Sequence, residues 1–427
     1  MDSRKVLLEE ARALSKTILL HVPADRLPSV VDAFSSQKIH PWSQNGLTAE
    51  HPMHKMMPRV GGFPPSLARY FIAAYTRPGD VVLDPYCGKG TVLFEATKIA
   101  RRAFGGDIAP DAVVVTRAKC VPVSFSQVAN YVQRLDFQRC RSVECAPSAV
   151  RLFYHSHTLR QILSIRGQVL EDLRSTSAST RNAATFVCGV LLGILHGHSK
   201  SSLSVPCNQC FAMAPDYVKR YIMEHGLEKP KRDVRQCLLD KMMYLLPRPV
   251  LARSASVFQA TAEKCERYLG KAKGQVDLVI TSPPYLNRQT YSKDGWLRLW
   301  FLGYDHKDVA KQSMETGSLR GFIDAMQRSL RAIVSSLKPG GWLVLVGGRA
   351  RVNIGTTVEL VGITDLCLKA LEQLDPGSDL VSIESIVHDS RVMSRGSYFA
   401  VHAGRCAVGG EGPRLGEEDI LIARRRK

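Results

Sequence analysis

The chain has 427 residues, 45% of them hydrophobic and 23% charged, which is enough for two cored domains and excludes a fibre or a largely disordered chain. Lys and Arg number 58 against 39 Asp and Glu, a formal charge of +19 that favours a polyanionic partner, nucleic acid first, without separating a binding surface from solvated charge. The eleven cysteines are scattered, and Met1-Asp2-Ser3-Arg4-Lys5 runs directly into a helical pattern, so a reducing cytoplasm is expected rather than a secreted disulfide scaffold.

Residues 1–50 carry Val6, Leu7, Ala11, Leu14 and Ile18 at helical spacing and then a polar connection, the pattern of an accessory arm. From His51 the character changes. Gly61-Gly62-Phe63-Pro64-Pro65 leads into a helix marked by Leu67, Tyr70, Phe71 and Tyr75, closed by Arg77-Pro78-Gly79-Asp80. Val81-Val82-Leu83 reads as a short buried strand ended by Asp84-Pro85-Tyr86-Cys87-Gly88-Lys89-Gly90. Helical spacing resumes over Thr91–Ala96, and a second strand near Ala103–Gly105 ends at Gly106-Asp107-Ile108. Strand, glycine loop, helix, strand, acid is the first half of a doubly wound nucleotide-binding sheet, assigned to residues 51–114.

Between residues 115 and 255 helical patterns dominate, with Leu159, Ile162, Leu163, Leu170 and Leu173 on one face, and this stretch reads as an inserted, mainly helical domain. Its longest apolar run, Phe186–Leu195, is about half of what a bilayer needs, so it predicts a buried helix and no membrane span. Strand signals return over residues 256–427: at Val257-Phe258, at Val276–Ile280, and at Trp342–Val346 after a turn over Leu337-Lys338-Pro339-Gly340-Gly341. Leu380–Ile386 and Ile420–Ala423 would close the far edge as a hairpin. The expected fold class is α/β, a doubly wound Rossmann-like sheet with an inserted helical domain.

Two constellations carry chemistry. Glycines at the strand-to-helix turn Asp84–Gly90 let the backbone approach a ligand that the helix N-terminus faces, and Asp107 at the next strand end can accept from two ribose hydroxyls. An acid opening the loop would repel a pyrophosphate, so a cationic, adenosine-bearing cofactor fits better. In Asp277-Leu278-Val279-Ile280-Thr281-Ser282-Pro283-Pro284-Tyr285 the prolines end a strand. They aim the Ser282 and Pro283 carbonyls at the crevice, where two acceptors would favour the nucleophilic form of an amine, with Tyr285 as a stacking face. A base leaves its duplex to reach such a crevice.

These residues resemble the DNA amino methyltransferases, the cytosine-N4 and adenine-N6 enzymes, whose signatures are a Ser, Asn or Asp before Pro-Pro-Tyr and an Asp-Pro-Phe-Cys-Gly-Ser-Gly type cofactor loop. The resemblance covers residues 51–114 and 256–350. It implies S-adenosyl-L-methionine as cofactor, held by Phe63, Asp84, Pro85, Cys87, Gly88, Gly90, Asp107 and Ile108. It also implies a catalytic loop of Ser282, Pro283, Pro284 and Tyr285, and double-stranded DNA with a flipped base as partner, in a restriction or defence setting alongside cognate proteins. Tyr86 and Lys89 replace the family's usual Phe and Ser, and Gln259 stands where an acid often contacts the cofactor's adenine. Serine before Pro-Pro-Tyr implies cytosine N4 over adenine N6. An RNA base amine as substrate and a catalytically inactive DNA-binding subunit stay open as alternatives. Cytosine C5 chemistry needs a cysteine nucleophile in a strand-end Pro-Cys loop, and Pro206-Cys207 is not in that context.

Asn287, Arg288 and Tyr291, just past the catalytic loop, are placed to line the base's access path. Lys229, Lys231, Arg232, Arg235 and Arg424–Lys427 are further candidates for phosphate contact. Cys207 and Cys210 have metal spacing but no matching second pair, so no metal is assigned.

Overall fold

The structure is a computed structural model that describes residues 51–59, 64–197, 199–206, 214–246, 255–285, 291–312, 318–354, 357–374, 381–393 and 414–426. Phe63, Cys207, Cys210, Asn287 and Arg288 lie outside these residues, as does the N-terminal arm.

The chain enters through helix α1 (Pro65–Tyr75), opened by a proline whose missing N–H is no loss at that position. Strand β1 (Val81–Asp84) follows, then α2 (Thr91–Lys98), β2 (Arg102–Asp107) and α3 (Pro110–Cys120). The expected β-α-β unit is therefore present with its glycine loop at the expected turn. Helices α4 (Phe125–Arg134), α5 (Ser156–Asp172), α6 (Ala178–Ile194), α7 (Pro215–His225) and α8 (Val234–Leu245) come next. Ser124, Ser177 and Asp233 cap α4, α6 and α8 by accepting backbone N–H bonds.

The apolar run seen in the sequence is the C-terminal half of α6, buried from Ala183 through Leu195 apart from half-buried Gly193. Two glycines one turn apart let it come so close. A Cβ at Gly189 would stand 2.4 Å from the Ala118 methyl on α3, and one at Gly193 would stand 1.8 Å from the Met56 carbonyl oxygen. Among the described residues no helix is long and apolar enough to cross a membrane.

Strands β3 (Ser256–Gln259) and β4 (Val276–Thr281) are followed by α9 (Trp296–Leu302), α10 (Leu319–Ser336), β5 (Leu337–Ile354), β6 (Thr357–Gly362), α11 (Ile363–Leu374), β7 (Val381–Met393) and β8 (Arg414–Arg425). The sheet order is β3-β2-β1-β4-β5-β8-β7, with β6 pairing β5 off this path. The first five are parallel, and β8 and β7 run antiparallel, so the tail hairpin does close the far edge, with β8 inserted next to β5. The expected turn at Leu337–Gly341 is instead absorbed into β5. Val276 pairs Leu337 and Leu278 pairs Trp342, so the intervening β5 residues bulge, with Gly340 at φ +77°.

Side chains alternate across the sheet as a two-sided core requires. Val82, Leu278, Ile280, Val344, Val346, Ile420 and Ile422 face a core shared with α1, α3, α5, α6 and α8. Val81, Leu83, Val279, Leu343, Leu345 and Leu421 face α10 and α11 through Phe322, Met326, Leu330, Ile363 and Leu366. The strand order reverses between β1 and β4, and a doubly wound sheet opens its ligand crevice there, at the carboxyl ends.

Candidate active site at the strand switch point

Both sequence constellations end at this crevice. Asp84 is the last residue of β1 and Thr281 the last of β4, and Thr281 Oγ1 donates to Asp84 Oδ1 at 2.6 Å. Asp84 Oδ1 also accepts the Tyr86 N–H at 3.2 Å, which turns the chain into the glycine loop. Asp84 is 3% exposed, and burial lifts its carboxyl to about 7 against the downward pull of these two donors. Pro85 and Cys87 are buried, and burial raises the Cys87 thiol well above the ordinary range, so Cys87 packs rather than reacts.

Gly90 begins α2 in the left-handed region at φ +72°, and a Cβ there would stand 2.7 Å from Thr116 of α3. Only glycine satisfies both demands. Thr116 in turn donates to the Gly88 carbonyl at 3.0 Å and clamps the loop from below. Asp107, at the end of β2, takes the Gly88 N–H at 2.9 Å on one oxygen and the Ala109 N–H at 2.9 Å on the other. Burial raises its carboxyl, while Arg59 and the two backbone donors oppose the rise. Half-buried Ile108 follows it.

Arg59 and Tyr268 carried no signal in the sequence pattern, whereas Gln259 was marked by the acid it replaces. Arg59 donates to Asp111 at 3.1 Å, lies 4.0 Å from Asp107, and flanks Gly88, so it neutralises the acidic rim from a segment that precedes the sheet. Gln259 pairs with Asp107 in the β2/β3 register and reaches only the Ile108 carbonyl, at 3.5 Å. Beside it the Phe258 and Tyr268 rings stack 4.8 Å apart. Tyr268 fills the space beside Gly106, and its hydroxyl is buried with no hydrogen-bond partner among the described residues.

Beneath the loop, fully buried Glu95 of α2 accepts from His54 at 2.7 Å, Arg69 at 2.7 Å and Lys98 at 3.2 Å. Burial pushes the Glu95 carboxyl upward, yet these partners hold it well below the usual range. Burial also lowers His54 to about 4, so its Nε2 donates as a neutral ring. This cluster ties the His51–Met56 turn, α1 and α2 together behind the crevice.

Past Thr281, Ser282, Pro284 and Tyr285 are half-buried and Pro283 is buried. The Tyr285 hydroxyl accepts the Gly348 N–H at 3.0 Å and donates to Glu418 at 3.1 Å, and Gly348 and Glu418 are cross-strand partners on β5 and β8. A Cβ at Gly348 would stand 3.2 Å from the Tyr285 ring, so the missing side chain makes room for it. The described chain resumes at Tyr291, the first residue of a helical turn to Asp294.

Residues 32–117 match the model of a family described as DNA methylase. Over this segment, about a fifth of its length, the chain is similar to that family. The Type II methyltransferase M.MjaII of Methanocaldococcus jannaschii is 26% identical over 91 residues, which are 21% of this chain and 15% of that protein. The chain thus spans about 15% of the length of the curated relative it matches. Among solved structures, one bearing on the conversion of a disulfide bond into a thioacetal group in echinomycin biosynthesis covers 94% of this chain and 92% of its own at 11% identity and TM-score 0.33. A putative methyltransferase from Bacillus halodurans covers 84% and 99% at 11% identity and TM-score 0.32. Likeness that distant decides nothing about chemistry.

The methyltransferase match includes Asp84, Gly88, Gly90 and Asp107 and stops before Ser282–Tyr285, which therefore rests on its own residues and placement. The family implies S-adenosylmethionine, and the residues fit it. The loop turns through two left-handed glycines, an acid is oriented by backbone N–H groups at the β2 end, and beside Gly106 lies a buried Tyr268 hydroxyl with no hydrogen-bond partner among the described residues. Among the described residues no group of three or more His, Cys, Asp or Glu is gathered as a metal site would need.

Proposed function

We propose that this chain transfers the methyl group of S-adenosylmethionine to the exocyclic N4 amine of cytosine in double-stranded DNA. The observation that supports this most is the Thr281–Asp84 hydrogen bond, which sets the Ser-Pro-Pro-Tyr loop and the glycine loop side by side at the strand switch point.

In this reading Phe63, Asp84, Pro85, Cys87, Gly88, Gly90, Asp107 and Ile108 shape the cofactor pocket, with Asp107 receiving the ribose hydroxyls. The bound cofactor supplies an electrophilic methyl group. Ser282 and the Pro283 carbonyl accept the hydrogens of the target amine, which draws its lone pair out of conjugation with the ring. Pro284 stiffens the loop. When bound, the cofactor would give up the methyl from its sulfonium sulfur to the amine nitrogen and leave as the neutral thioether, and the amine's surplus proton would pass to water. Tyr285 stacks on the flipped base, its ring held by the Gly348 and Glu418 contacts to its hydroxyl. Asn287, Arg288 and Tyr291 line the access path, and the helices of residues 115–255 read the target, in a restriction or defence setting. The choice of cytosine follows from serine ahead of Pro-Pro-Tyr.

The test is incubation with methyl-labelled cofactor and, in parallel, duplex DNA, tRNA and rRNA, followed by digestion to nucleosides. Label in N4-methylcytosine from DNA supports the reading. Label in N6-methyladenine moves the assignment to adenine, and label confined to RNA moves it to RNA. A chain that binds cofactor and DNA yet labels nothing is a non-catalytic DNA-binding subunit.

A further inference from the structure

Away from the crevice, the loop between α4 and α5 brings two thiols together. Cys140 Sγ donates to the Ser142 carbonyl at 3.0 Å, and Cys145 Sγ donates to the same oxygen at 3.6 Å. Two donors converging on one acceptor lie side by side. The loop is held in this shape from several directions. The Cys140 N–H donates to Ser164 Oγ of α5 at 2.8 Å, the Glu144 N–H to Ser142 Oγ at 3.1 Å, and the Ala146 N–H to the Val143 carbonyl at 3.0 Å.

Accessibility sets this pair apart. Cys145 is exposed and Cys140 half-buried, whereas Cys87, Cys120, Cys188, Cys237, Cys265 and Cys367 are all buried. Arg139 and Arg141 flank Cys140 in the sequence; burial and the neighbouring Cys140 raise the Cys145 thiol, with Arg166 opposing the rise, so Cys145 is accessible but not poised as a thiolate.

We propose that Cys140 and Cys145 form a redox-active dithiol that closes to an intramolecular disulfide in exchange with small disulfides of the glutathione type. One protein thiolate attacks a sulfur of oxidised glutathione, forming a mixed disulfide and expelling one glutathione thiolate. The second protein thiolate then attacks the protein sulfur of that mixed disulfide and expels the other. Two protein thiols are oxidised, one glutathione disulfide is reduced to two thiols, and the two protons pass to the departing thiolates. In a reducing compartment such a bond is transient and regulatory rather than structural. It would lock the loop against α5 at Ser164, two residues before Arg166, whose guanidinium donates to the Phe301 carbonyl at 2.8 Å and the Trp300 carbonyl at 3.0 Å and so joins α5 to α9.

The experiment uses the reduced full chain, oxidised glutathione as probe, alkylation of remaining thiols, and tryptic mass mapping. Trypsin cuts after Arg141 and so separates the two cysteines. The expected product is the Cys140-Arg141 dipeptide disulfide-linked to the Ser142–Arg151 peptide, released by reductant, with Cys188 and Cys367 unmodified. Cys140→Ser should trap Cys145 as a stable glutathione adduct, and Cys145→Ser should trap Cys140. Recovery of both wild-type cysteines as separate alkyl or glutathione adducts overturns the proposal. So does a link from either one to another cysteine, or a link that forms only once Cys188 is also modified and the chain has unfolded.

Discussion

Thr281 Oγ1 hands its hydrogen to Asp84 Oδ1 over 2.6 Å, and through that bond residues 197 positions apart in sequence become neighbours at one crevice. Thr281 is fully buried and Asp84 nearly so, so neither has water as an alternative partner. Thr281→Val keeps the shape and removes the donor, and it should cost about 1–3 kcal/mol of unfolding free energy. In a double-mutant cycle with Asp84→Asn, measured by urea denaturation, the two losses should be less than additive. Full additivity would mean that the bond carries no coupling.

The protonation of Asp84 should be visible in stability. Burial raises its carboxyl to about 7 from an unfolded value of 3.8, so the folded chain keeps the proton across a range where the unfolded chain has lost it. Its stabilising contribution is complete below about pH 4 and is lost as pH rises through about 7. The difference in unfolding free energy between wild type and Asp84→Asn should therefore drift against wild type between those limits. A difference that stays flat over that range would place the carboxyl elsewhere on the scale.

Gly90→Ala puts a methyl group into a left-handed position and 2.7 Å from Thr116. About 1–2 kcal/mol of backbone strain is expected from the conformation alone, and the clash adds to it. Calorimetric titration should show weakened binding of S-adenosylmethionine, by at least about tenfold for a strain of that size. Adding Thr116→Ala should recover the part due to the clash and leave the part due to φ.

Glu95→Gln removes the charge that pairs with Arg69 and Lys98 and accepts from the neutral His54 ring, and a loss of about 3–5 kcal/mol is expected, as for other broken buried ion pairs. Lys119 of α3 offers the opposite case. Its ammonium is fully buried without a hydrogen-bond partner among the described residues, and burial, aided by Lys89, lowers it to about 7. Lys119→Met keeps an unbranched chain without the charge and should stabilise the protein by about 1–3 kcal/mol at neutral pH. Thermal melts of both variants check the pair of signs.

In the proposed catalytic loop, Tyr285→Phe keeps the ring proposed to stack and loses the bridge to Gly348 and Glu418, whereas Tyr285→Ala loses both. Methyl transfer should fall modestly in the first and by at least about tenfold in the second, since base stacking contributes about 1–3 kcal/mol. Ser282→Ala should lower kcat with little change in cofactor affinity. Steady-state kinetics with DNA, next to cofactor titration, separates the two effects.

The local rules were enough for much of this. Short continuous apolar runs bounded by glycine and proline marked β1 and β4, because a strand buried on both faces can contain little else. The glycine loop and Asp107 were legible because the backbone geometry they serve is local, within one strand-turn-helix unit. The turn expected at Leu337–Gly341 became a bulge of β5, because β4 offered a pairing partner that no local pattern shows.

Contacts between distant segments were outside the reach of pattern. Arg59 beside Asp107, Glu95 gathering two cations and the neutral His54 ring, Tyr285 seated on a Gly348–Glu418 pair, and Cys140 beside Cys145 each depend on side-chain directions set by packing. By itself the sequence determined the α/β class and the positions of the two strand-end loops, since each is written in consecutive residues, and the resemblance those loops carry implied the kind of cofactor. Only the tertiary structure decided that β1 and β4 are neighbours. That adjacency makes Asp84 and Thr281 partners, and long-range strand pairing is what brings two loops 197 residues apart into one crevice.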